Sequence, residues 1–296
     1  ANVTTDISIN LVGDNIENTQ GTISIEDLQY SENDKSINIA QIDVESIIND
    51  KRILKINSDA FNCLLTGKFN LDKVLSASKV VFSNYIPTNT TMQISRDVPQ
   101  KLNFKIDLNR VQSILDVFYP ALKIADNTSI SGNLNSEAFE LSLDAKSKYV
   151  AYENISLHNF LLSGEVANEN FQLQTSLDSV YVDDELLIGE VDLEGITGFD
   201  TASIHVELSG EEKKINNADF RFDTKILPTG YTTLKVIPDH LVMNGSTWFL
   251  NNENYLLIDS TGVLFSKFDF NSEDQFVGIS GILSQDTTAK IKVKFE

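Results

Sequence analysis

The stretch Leu102-Asn103-Phe104-Lys105-Ile106-Asp107-Leu108 alternates apolar and polar residues without a break. Successive side chains of a β-strand point to opposite faces. Leu102, Phe104, Ile106 and Leu108 therefore share one face, and Asn103, Lys105 and Asp107 the other. The same period recurs along the chain. It is seen at Ile23 and Ile25, then at Phe61, Cys63 and Leu65, continued by Phe69 and Leu71. Phe139, Leu141 and Leu143 repeat it, as do Phe171 and Leu173, Ile204, Val206 and Leu208, and finally Ile291, Val293 and Phe295. Polar clusters such as Ser31–Asp34, Asn127–Ser129, Ala167–Asn170 and Asn251–Asn254 separate the runs. Their Asn, Asp and Ser side chains make local turn hydrogen bonds. Strand after strand joined by short turns predicts an antiparallel meander of about eighteen strands.

One segment breaks the pattern. From Asp107 to Lys123 the apolar residues Leu108, Val111, Ile114, Leu115, Phe118 and Leu122 fall three or four apart, which is one helical stripe. Asp107 or Asn109 can cap its start and Pro120 lies near its end. This predicts a single short amphipathic helix over 107–123, packing its stripe against the sheet. The 296 residues read as a single elongated domain, 1–296, with the two prolines and several threonines of 84–100 marking a long loop or module boundary.

Hydrophobic residues make up 41% of the chain, enough for a packed interior. The formal charge of −20 repels phosphate backbones, so no nucleic-acid partner is expected. No apolar run approaches the ~18 residues of a membrane-spanning helix. The chain starts at Ala1 with no methionine and no signal-like segment, and reads as an excised piece of a larger protein. Any membrane contact is then expected through parts outside this segment.

The search for chemistry returns little. The single cysteine, Cys63, excludes an internal disulfide and sits in an apolar strand as a small packing residue. None of the three histidines, His158, His205 and His240, has a partner at metal-ligand spacing, and His205 points away from Ile204 and Val206. Gly278-Ile279-Ser280-Gly281 is too short for a nucleophile elbow and reads as a close sheet turn. Asp183-Asp184-Glu185 offers oxygen ligands for calcium but lacks a calcium loop's spacing, and reads as a polar hairpin tip. No catalytic residue, cofactor or metal is expected, and the chain reads as a non-enzyme.

Residues 21–47, GTISIEDLQYSENDKSINIAQIDVESI, and 52–71, RILKINSDAFNCLLTGKFNL, place a glycine-headed strand before a polar hairpin, a second alternating strand, a Ser-Asp corner and a Gly-Lys-Phe-Asn-Leu strand. This resembles a module of the TamB branch of the AsmA-like, bridge-like lipid-transfer proteins. The segment from Phe104 past Pro120 to Ile130-Ser-Gly-Asn-Leu134 is similar to a recurring element of that branch. Trp248–Asn252 and Phe276–Gly281 are similar to it in style. The resemblance implies a long antiparallel sheet curled into a half-pipe, a β-taco, with an apolar interior. It implies a periplasmic protein anchored in the inner membrane, an Omp85-class outer-membrane barrel as partner, and a role in outer-membrane lipid transport and protein assembly.

The residues read bottom-up agree with such a mechanism. A curled sheet with one apolar face is a trough that shields phospholipid acyl chains from water at ~0.8 kcal/mol per methylene. Phe61, Cys63, Leu65, Phe69, Leu71, Phe104, Phe139, Leu141, Phe171 and Leu173 are its candidate wall. The alternative is that the same residues fill a closed, dry core. Two other architectures also alternate: an outer-membrane barrel, which needs aromatic girdles and longer strands, and a structural or adhesive β-solenoid, which needs regular rungs.

Overall fold

The computed structural model describes residues 1–32, 34–85, 99–210, 215–227, 229–243, 245–273, 275–284 and 290–296. Among these the chain is mainly β, with 23 strands in one antiparallel sheet that is not closed, and two short helices. In order, the elements begin β1 (Asn2–Val12), β2 (Gln20–Glu32), β3 (Lys35–Ile48), β4 (Arg52–Ser58), β5 (Phe61–Lys68) and α1 (Val74–Tyr85). There follow β6 (Lys101–Leu108), α2 (Gln112–Phe118), β7 (Leu122–Ile124), β8 (Thr128–Asn135), β9 (Glu140–Tyr152) and β10 (Ile155–Ala167). The chain continues through β11 (Asn170–Leu177), β12 (Ser179–Val182), β13 (Glu185–Ile188), β14 (Val191–Thr197), β15 (Thr201–Ser209), β16 (Ile215–Ile226) and β17 (Thr232–Met243). It ends with β18 (Ser246–Thr247), β19 (Phe249–Leu250), β20 (Tyr255–Ile258), β21 (Gly262–Ser272), β22 (Gln275–Ser284) and β23 (Ile291–Phe295).

The antiparallel class is the one the alternation predicts, and the open sheet accords with the half-pipe that the resemblance implies. The strands outnumber the expected eighteen or so because β7, β12, β13, β18, β19 and β20 have only two to four residues, too few to show a period.

Backbone contacts divide the chain into two compact units. Unit 1 comprises residues 1–81, 95–165 and 180–186, and unit 2 residues 82–94, 166–179 and 187–296. The boundary expected in 84–100 falls largely outside the described residues, which omit 86–98. In unit 1 the ladder runs β1, β2, β3, β4, β5, β6, β8, β9, β10, each antiparallel to the next, with β7 pairing the far end of β9. In unit 2 it runs β11, β14, β15, β16, β17, β20, β21, β22, β23. Between β17 and β20 the side chain of Asn254, 1% exposed, stands in for backbone. It accepts from the Val236 N–H at 3.0 Å and donates to the Val236 carbonyl at 2.7 Å.

The helix expected over 107–123 is a correction. Leu108 still belongs to β6, Leu122 already belongs to β7, and only Gln112–Phe118 is helical. The N–H groups of Asn109 and Arg110 both donate to the Ala60 carbonyl, at 2.8 and 2.9 Å, which ties this stretch to the β4–β5 turn and delays the helix. Neither Asp107 nor Asn109 caps it; its first turn follows Val111 with no side-chain cap. The stripe does pack on the sheet: Ile114 and Val117 lie against the buried Ile37, Ile39 and Ala60, and the Phe118 ring sits 5.9 Å from Tyr30. A second helix, α1, was not expected at all. Ala77, Val81 and Tyr85 are buried at a spacing of four, which is a helical face. Its valines and serines are weak helix formers, so burial of that face rather than propensity holds it.

Candidate functional site

Register turns the alternation into a surface. In unit 1, Ile9, Ile23, Val44, Ile56, Cys63, Ile106, Ile130, Ala145 and Leu162 stand directly opposite one another in sequence across nine strands. No polar residue interrupts the row. At ~4.8 Å per strand it extends about 40 Å along the hydrogen-bonding direction. The adjoining row carries Leu54, Leu65, Phe104 and Leu143, with the Phe104 ring lying across Gly132. The opposite face is polar: Ser24, Asp43, Asn57, Asn62, Asp107, Ser129 and Lys146 form the matching row. Ser24 donates to Asp43 there at 2.8 Å.

Burial along the strands decides what this face can do. Toward one end Ile37, Ile39 and Ala60 lie under α2 and are 4–5% exposed. Toward the other end Leu102, Leu134 and Leu141 are 3–6% exposed, in register with Gly67 and Arg52. Between these dry ends, Ile23, Val44, Ile56, Cys63, Ile106 and Ile130 are only half-buried. A closed core would bring such residues close to full burial. The middle of the apolar face is therefore flanked on two sides and left partly exposed.

Unit 2 repeats the arrangement. Leu173, Gly195, Ile204, Phe222 and Val236 form one row, and Leu193, Val206, Phe220 and Pro238 the next. Ala218 and Leu241 are buried at one end of these strands, while Ile204, Phe220, Phe222 and Val236 remain half-buried.

Of the expected wall, Phe61, Cys63, Leu65 and Phe104 line the half-buried face of unit 1, Leu65 opposite Phe104 and Cys63 opposite Ile106. Leu141 is in its dry flank. Phe69 and Leu71 are corrections: β5 ends at Lys68, so neither continues the strand. Phe69 is 6% exposed, with the Arg52 guanidinium 5.8 Å from its ring centre, and Leu71 lies in the turn before α1. Phe139 is also a correction, because it sits in the β8–β9 turn at φ 55°. Phe171 and Leu173 belong to unit 2, where Phe171 is 6% exposed and packs edge-on against Phe82 at 6.0 Å. The candidates thus divide between two units. Of the nine-residue row in unit 1 only Cys63 is among the expected wall; others, such as the β-branched Val44, Ile56 and Ile130, are recognisable only once strand pairing is known.

Cys63 gives a direct probe of this face. Its surroundings push the thiol above its ordinary pKa through desolvation. Because the thiolate is the reactive form, alkylation at mildly alkaline pH is expected to be at least about tenfold slower in the folded protein than in the urea-unfolded chain. Equal rates in the two states would contradict the packing described.

Two other expectations change. Gly278-Ile279-Ser280-Gly281 is no turn: it lies inside β22. His205 has partners after all, Asp219 at 2.6 Å and Glu207 at 3.8 Å. Asp183 and Asp184 do form a hairpin tip, both in the left-handed region (φ 53° and 63°) that two-residue hairpin turns require.

Comparison with protein-family models, with curated proteins and with solved structures finds no match to this chain.

Proposed function

We propose that this chain is a carrier rather than a catalyst, whose partly exposed apolar face shields the acyl chains of phospholipid. The observation that supports it is the uninterrupted apolar row across nine strands of unit 1, exposed at Ile9 and half-buried from Ile23 onward. Each methylene laid on that face leaves water with a gain of ~0.8 kcal/mol, so a sixteen-carbon chain gains on the order of 10 kcal/mol before ordering costs. Neighbouring strands offer equivalent apolar rungs, so a chain advances by a strand without full re-exposure to water. The strongly acidic surface repels anionic headgroups and keeps them toward solvent.

The likeness of residues 21–71 to TamB-type modules supports a place for this carrier in a double-membrane envelope. On that reading it works in the periplasm as part of an inner-membrane-anchored protein that meets an Omp85-class barrel.

Photocrosslinking in cells tests the carrier. A photoreactive side chain at Ile106 is expected to yield lipid adducts, and one at Asn103, on the polar face of the same strand, none. Equal yields at the two positions, or protein adducts alone at Ile106, would reject the lipid reading; the second outcome favours a structural or adhesive role.

A further inference from the structure

We propose that the polar face of unit 2 binds a divalent transition cation of the zinc class through His205, Glu207 and Asp219. His205 and Glu207 are two apart on β15 and so project from one face, the face opposite Ile204 and Val206. Pairing with β16 sets Glu207 directly opposite Asp219. The result is an imidazole nitrogen and two carboxylate oxygens all within 4.8 Å of one another. The His205 Nε2 lies 2.6 Å from Asp219 Oδ1 and 3.8 Å from Glu207 Oε1. Tetrahedral bonds of ~2.1 Å hold ligand atoms about 3.4 Å apart, a spacing these two distances bracket. Small side-chain rotations on an accessible sheet face suffice to close the site.

The surrounding register supplies a second reason. Asp192, Glu207 and Asp219 stand side by side across β14, β15 and β16, and His240 follows on β17. Like charges directly opposite in a sheet repel. No lysine or arginine stands in this row to offset them. Arg221, opposite His205, directs its Nε to Asp223 at 3.4 Å. A cation held by Glu207 and Asp219, beside Asp192, relieves the repulsion. Two of the chain's three histidines are also brought to this one patch, although they are 35 positions apart in sequence. One imidazole with two carboxylates selects a borderline cation over calcium or magnesium, which prefer all-oxygen sites. A cation coordinated at Nε2 takes the neutral ring with its proton on Nδ1. The fourth position is left to water. This site lies on the face opposite the apolar rows and does not depend on the carrier reading.

Calorimetric titration of the chelator-treated chain with Zn²⁺, Ca²⁺ and Mg²⁺ tests the proposal. One Zn²⁺ per chain is expected, at least about a hundredfold tighter than either hard cation. His205→Gln and Glu207→Gln are each expected to weaken Zn²⁺ at least about tenfold, with an unchanged far-UV spectrum. Glu45→Gln, on the polar face of unit 1, is expected to change nothing. Zn²⁺ affinity untouched by both site variants, or Ca²⁺ binding as tight as Zn²⁺, would overturn it.

Discussion

On the carrier proposal, replacing Ile106 by aspartate is expected to lower co-purifying phospholipid at least tenfold, which corresponds to ~1.4 kcal/mol or more. Ile106 stands mid-row between Cys63 and Ile130. A carboxylate there must be desolvated whenever an acyl chain lies over it, at a cost of several kcal/mol. Ile106 is only half-buried, so a charge there keeps part of its water and the fold tolerates it. Ile56→Asp, in the same row, serves as an independent copy of the experiment. Asn103→Asp introduces the same charge on the solvent face and is expected to leave lipid unchanged. Mass spectrometry of the natively purified variants reads the outcome. Full lipid retention in both Ile106→Asp and Ile56→Asp would remove the physical basis of the carrier.

The largest loss of stability is expected from Gly67→Ala, about 3 kcal/mol or more. Gly67 has φ +149°, a conformation L side chains rarely adopt, and an added methyl would lie 2.0 Å from the Lys101 carbonyl oxygen. Neither problem has a local remedy, because Lys101 belongs to the adjacent β6 and moving it breaks the ladder. Gly195→Ala provides the contrast. Its added methyl meets nothing closer than 3.6 Å and its φ is ordinary, so the change is expected to fall within about 0.5 kcal/mol. Urea unfolding of the two variants separates them, and equal midpoints would show that the β5–β6 approach is looser than described.

The β class was legible because alternation is a local property, visible within seven residues at Leu102–Leu108. What sequence reading missed was non-local. Phe69 and Leu71 continue the period of β5 arithmetically, yet the strand stops at Lys68 and the chain turns toward α1. The stripe from Leu108 to Leu122 has helical spacing, but pairing of β6 with β8 and of β7 with β9 claims both of its ends. Tertiary hydrogen bonds there outweigh the period. The apolar row itself is assembled from one residue per strand, so Val44, Ile56 and Ile130 gain significance only from register. The same holds for His205 and Asp219, whose proximity no spacing in the chain announces.

Because each rung joins the apolar face by parity alone, the lengths of the strands and the number of them are under opposite constraints. One residue inserted into β4 would rotate Ile56 to the outside and bring Lys55 or Asn57 in, interrupting the row with a polar gap. A whole extra hairpin would leave every existing rung where it is and add two more, lengthening the hydrophobic track by about 10 Å. Such a protein grows or shrinks in steps of paired strands, while the interior of each strand resists even the smallest insertion.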